Sequence, residues 1–181
     1  MGMNKQYTTA RTYGKALFNE AEKNNEVTDD FQELLKLRDV YRDVPELGEM
    51  LTDNRLSVYE KVSIISELEN SFGKTVAKFI HMIYDYGRMD ELPEMIDEFE
   101  REYYKRSGII VARVTTAVPL SQEQRHDLEN NIAEYFNADK AMLNAKIDPS
   151  IIGGVIIETE GSIIDQSIKT ELENMHAALM K

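Results

Sequence analysis

A chain of 181 residues with 42% apolar and 30% charged side chains can bury the core of one large domain or two small ones, and its composition is far from that of a disordered polymer. The formal net charge of −12 is spread over both halves, with 15 basic against 22 acidic residues in 1–106 and 6 against 11 in 107–181, and no basic block interrupts it. Such a surface repels phosphate backbones and anionic lipid, which argues against nucleic-acid binding and direct adhesion to a membrane and leaves room for basic or neutral protein partners.

The absence of cysteine removes disulfides, thiolate ligands and thiol nucleophiles. No stretch approaches the ~18 consecutive apolar residues of a membrane span, and the N-terminus lacks the cationic-then-apolar pattern of a secretion signal, so a soluble, unexported chain is expected. Met1-Gly2 resembles a myristoylation start, but Gln6 stands where Ser or Thr is required.

From Ala10 to Tyr104 apolar residues recur at three- and four-residue spacing, which predicts helices throughout. The first stripe is Ala10, Tyr13, Gly14, Leu17 and Ala21. The second is Val27, Phe31, Leu34, Leu35 and Val40, interrupted by Pro45. A short helical turn follows around Leu47 and Leu51, with Asn54 and Arg55 read as loop. Ser57 and Glu60 have capping-box spacing, opening a helix expected to bury Val62, Ile65 and Leu68. Val76, Phe79, Ile80 and Ile83 make the next stripe, ended by Gly87 as a left-handed terminator, and Asp90-Pro93 opens a last helix with Ile96, Phe99 and Tyr103 inward.

The period changes at Ser107-Gly108. Ile109 through Val118 alternates as a strand does, a helix capped at Ser121 carries Leu128, Ile132 and Phe136, and strands follow at Met142–Ile147, Gly154–Thr159 and Ile163–Asp165. A terminal amphipathic helix presents Ile168, Leu172, Met175 and Leu179. The expected fold is α+β: a six-helix bundle over residues 1–106, then a small α/β layer domain over 107–181 with a short-stranded sheet.

The residues that could carry chemistry do not assemble into a site. His81, His126 and His176 lack ligand-pair spacing, and His81 is read as a partly buried helix histidine with one hydrogen bond. Gly153-Gly154 precedes a strand instead of joining a strand to a helix, so it is not a phosphate loop. Glu98, Glu100 and Glu102 are expected on a solvated helix face. Asp148, Glu158, Glu160 and Asp165 have neither EF-hand spacing nor a histidine partner. No catalytic residue, cofactor-binding residue or metal ligand is assigned; a small hydrolase built on the C-terminal carboxylates is the weakest reading, and a helical-bundle adaptor outside energy conversion is the alternative to the one that follows.

Three segments carry a family resemblance. Ala10-Arg11-Thr12-Tyr13-Gly14-Lys15-Ala16-Leu17-Phe18 is similar to the opening helix of the delta subunits of F-type ATP synthases, whose mitochondrial relative confers oligomycin sensitivity. Tyr86-Gly87-Arg88-Met89-Asp90-Glu91-Leu92-Pro93-Glu94-Met95 resembles the loop between that family's last two bundle helices, and Ile147-Asp148-Pro149-Ser150-Ile151-Ile152-Gly153-Gly154-Val155-Ile156-Ile157 with Ile164-Asp165-Gln166-Ser167 resembles its C-terminal signature. Thr12, Gly14, Gln166 and Lys169 depart from the residues common there.

The resemblance implies a non-catalytic stator protein that resists rotor torque during proton-driven ATP synthesis. Its helical domain would grip N-terminal helices of alpha subunits and its C-terminal part would engage the b subunits, so that the membrane is reached only through the complex, at the cytoplasmic face of a bacterial cell. It also implies an alpha-binding groove between the first and fifth helices. Tyr13 and Ala16, three residues apart and so side by side, Leu17, and Met82 on the flank of its helix are its candidate residues. Alanine permits close approach, methionine adapts to a visiting chain, and tyrosine supplies apolar area with a polar tip.

Overall fold

In a computed structural model describing residues 3–53 and 55–180, with side chains from residue 9 onward, the chain has the expected α+β class: eight α-helices and a four-stranded mixed sheet. It divides into two compact units between Tyr103 and Tyr104. Asn54, read as loop, lies outside the described residues.

The first unit comprises α1 (Met3–Asn24), α2 (Val27–Asp43), the short α3 (Leu47–Thr52), α4 (Val58–Ser71), α5 (Lys74–Asp85), a 3-10 turn (Met89–Glu91) and all but the last three residues of α6 (Leu92–Arg106). Several boundaries follow from local chemistry. Val44, held out of the helical region ahead of Pro45, caps α2. At α4 the Ser57 hydroxyl accepts from the Glu60 N–H while the Glu60 carboxylate accepts from the Ser57 N–H, a reciprocal capping box. Gly87 at φ +62° ends α5: its N–H reaches the Tyr84 carbonyl at 2.9 Å and the Arg88 N–H reaches Ile83 at 3.1 Å, the two bonds of a Schellman terminus.

The core of this unit is Leu34, Leu37, Ile80, Ile83, Met89, Leu92, Met95, Ile96 and Phe99, each fully buried and each contributing about 1.5–3 kcal/mol on transfer from water. Phe18 meets the Phe99 ring edge-on at 5.4 Å and Phe31 stacks on Tyr103 at 4.1 Å. On α2 the buried stripe is Phe31, Leu34, Leu37 and Tyr41, so the expected Leu35 and Val40 lie only half-buried at its edge. The Tyr41 hydroxyl donates to the Met89 carbonyl at 2.9 Å, pinning the 3-10 turn to α2.

Two sequence expectations fail here. Val62 is 51% exposed: on α4 only Ile65 is buried, and at about 100° per residue Val62 is rotated some 60° from it toward the flank that also exposes Val58 and Tyr59. Glu98 is not on a solvated face; it is 4% exposed, paired with Arg101 on its own helix and with Arg11 of α1 at 3.6 Å, while Glu102 pairs with Lys15 at 3.5 Å and Glu100 with Arg38 at 2.7 Å. The cause is Gly14. Without a side chain there, α1 closes over α6, and a Cβ would stand 2.7 Å from the Glu98 Cβ and against the Met95 carbonyl.

The second unit holds β1 (Ile109–Thr116), α7 (Gln122–Tyr135), β2 (Lys140–Ile147), a 3-10 turn (Pro149–Ile151), β3 (Gly154–Thr159), β4 (Ser162–Ser167) and α8 (Ile168–Leu179). Strand order is β2-β1-β3-β4, with β1 parallel to β2 and antiparallel to β3, and β3 antiparallel to β4. Joining two parallel neighbours requires a crossover, which α7 supplies after a second capping box at Ser121 and Gln124. Ala112, Val114, Ile132, Ala141, Leu143 and Ile157 form the core, with Leu128 and Phe136 packed against it.

Candidate functional site

The opposed faces of α1 and α5 form an open groove of about 270 Å³. From α1 it takes Tyr13, Ala16, Leu17, Glu20 and Asn24, a run spaced by three and four residues along one helix face; from α5 it takes Thr75, Lys78, Phe79 and Met82, spaced likewise. The two helices run antiparallel along it: Tyr13 lies 6.1 Å from Tyr86, just past the end of α5, and the Glu26 carboxylate, just past α1, accepts from the Thr75 hydroxyl at 2.9 Å. One end is therefore aromatic and the other polar.

Leu17 and Phe79 are buried and make the floor, Tyr13 and Met82 are half-buried on the walls, and Ala16 is exposed. The four residues singled out from sequence thus share one groove. Sequence reasoning treated Phe79 as core alone and missed Glu20, Asn24, Thr75 and Lys78, although the spacing from Tyr13 to Asn24 was available as a signal.

The second unit has a surface of another kind. α8 buries no residue; Ile168, Leu172, Met175 and Leu179 form a stripe along it that faces outward, with Leu172 51% and Met175 55% exposed. α7 covers the sheet, whereas among the described residues α8 packs chiefly against β4 and the Pro149–Ile151 turn. Beside it an open hollow of about 550 Å³ runs along Asp165, Gln166, Ser167, Thr170 and Met175.

The other groups that could carry chemistry have structural duties. Asp148 accepts from the Ser150 N–H at 3.0 Å, and hydrogen bonds from the Ser150 hydroxyl and backbone hold its carboxyl below the usual carboxylate range. Asp165 accepts from the Ser167 N–H and the Thr170 hydroxyl, with the same effect, and so braces Ser167, the N-cap of α8, whose own hydroxyl accepts from the Thr170 N–H. Glu158 pairs with Arg113 across β3 and β1 at 3.3 Å. Gly154, at φ +77°, lets β3 approach the Gln166 carbonyl. His81 is exposed rather than partly buried. It bridges α5 to α4 through Glu69 at 2.7 Å, and that hydrogen bond, with Asp85 nearby, raises its pKa. Among the described residues no three His, Asp or Glu side chains cluster as a metal site, and no helix is long and apolar enough to cross a membrane.

Residues 9–179 match the family described as ATP synthase delta (OSCP) subunit. The chain is 45% identical to the ATP synthase subunit delta of Enterococcus faecalis over 97% of its own length and 98% of that protein's, and 44% identical to the Enterococcus hirae protein over 96% and 97%. A chain in the cryo-EM structure of the Toxoplasma gondii mitochondrial ATP synthase hexamer shares its fold, with a TM-score of 0.73 at 21% identity over 95% of this chain and 97% of that one. Likeness at this identity over nearly the whole chain shows that the chain belongs to the ATP synthase delta (OSCP) subunit family, and as such it is a non-catalytic stator subunit of the F-type complex.

Proposed function

We propose that the first unit holds the catalytic head by taking an N-terminal helix of an alpha subunit into the α1–α5 groove, while the outward stripe of α8 engages the b subunits of the peripheral stalk, at the cytoplasmic face of a bacterial membrane. The observation that carries this is the groove itself: a buried apolar floor of Leu17 and Phe79, adaptable walls of Tyr13 and Met82, and a small exposed Ala16 that admits a visiting backbone. The finer division into a helical bundle over 1–106 and an α/β domain over 107–181 belongs to the same reading, one body for each partner.

Ala16→Leu tests it. Filling the groove should weaken binding of a synthetic alpha N-terminal peptide by ~1–3 kcal/mol through overpacking, while the melting temperature of the full-length chain barely moves because Ala16 is exposed. Unchanged peptide affinity would contradict the groove assignment.

A further inference from the structure

The groove wall carries a charge that its own chain leaves unanswered. Lys78 lines the groove, is exposed, and has no ion pair among the described residues. Lys74 lies four residues earlier on the same flank of α5, an arrangement in which like charges disfavour each other, and the first turn of α5 contains no acid to offset them. Of the acids on α2 and its approach, Glu33 accepts from the Gly73 N–H at 2.7 Å, Glu26 accepts from the Thr75 hydroxyl, and Asp30 is buried. Across the groove, Glu20 pairs with Lys23 at 3.4 Å. In a chain of net charge −12, an unanswered lysine toward the polar end of an apolar groove is a feature that a visitor's negative charge would complete.

Resting on the groove reading above, we propose that Lys78 is a specificity-determining residue: it pairs with a carboxylate on the exposed flank of the visiting amphipathic helix and so fixes the direction in which that helix lies. The visitor's acid sits toward Asn24 and Thr75, and its most apolar turn sits against Tyr13, Met82 and Tyr86.

The test measures binding of the synthetic alpha N-terminal peptide to full-length Lys78→Ala, Lys78→Glu and Ala16→Leu variants at about 50 mM and about 500 mM salt, with circular dichroism to confirm folding. Loss of affinity at low salt should be roughly threefold for Lys78→Ala and roughly tenfold for Lys78→Glu, shrinking toward parity at high salt. A peptide with the matching acid changed to lysine should recover binding to Lys78→Glu. Equal loss at both salt levels, or none, overturns the pairing. If Ala16→Leu abolishes binding while the Lys78 variants bind normally, the groove stands and the pairing falls; if Ala16→Leu also binds normally, the groove reading falls and takes the pairing with it.

Discussion

Asp30 is 4% exposed on α2, its Oδ2 has no hydrogen-bond partner, and burial, reinforced by Glu26, Glu33 and Asp29, raises its pKa from 3.8 to about 6. Because the native state binds this proton more tightly than the unfolded chain, folding stability should rise as pH falls from 6 toward 4, and the ionised form is a liability at neutral pH. Asp30→Asn should therefore raise the melting temperature at pH 7.5 by several degrees, the scale of about 1 kcal/mol in a domain of this size, and the gain should vanish by pH 4. Thermal melts across that range check it. Gly14 is the complementary case: Gly14→Ala gains ~0.5–1 kcal/mol of helix preference but drives a methyl group into the Met95 carbonyl and Glu98 Cβ, so a net loss of about 1–2 kcal/mol is expected in denaturant titration. Neither residue's role was legible in the sequence. Gly14 was placed on the inward stripe of the first helix and noted as a departure from the family's usual residue, but its closeness to α6 was not legible, and Glu98 read as solvated because what buries it arrives from a helix some eighty positions away.

At the scale of elements, what depends on neighbouring residues was legible: both capping boxes, the Gly87 terminus and the four strands follow from side chains within a few positions of the boundaries they set. Partial burial was not, because it depends on which flank another helix covers; hence Val62, exposed, and Tyr41, buried, were placed wrongly or passed over. In the groove the α1 side was encoded in three- and four-residue spacing, whereas the α5 side needed the antiparallel pairing that only the fold supplies. The outward stripe of α8 yields a separate prediction. Leu172→Glu with Met175→Glu should change stability by less than about 0.5 kcal/mol, since neither side chain is buried, yet abolish co-purification with the b subunit. A large loss of stability would mean that the stripe packs within the chain instead.

For the molecule as a whole, the change of hydrophobic period at Ser107-Gly108 was readable in the sequence, and the described chain divides a few residues earlier, near the last turn of α6. Lys105, Arg106 and Ser107 are exposed there. Brief trypsin treatment should release a helical fragment ending near residue 106 that melts cooperatively by circular dichroism; a fragment without helical signal would contradict independent folding of the first unit. The central claim, that this subunit holds the head through alpha N-terminal segments, is tested most directly by measuring the affinity of the full-length chain for intact head complex and for head lacking those segments. Binding should be tight to the first and lost with the second; equal affinity for both would mean that the head is held elsewhere.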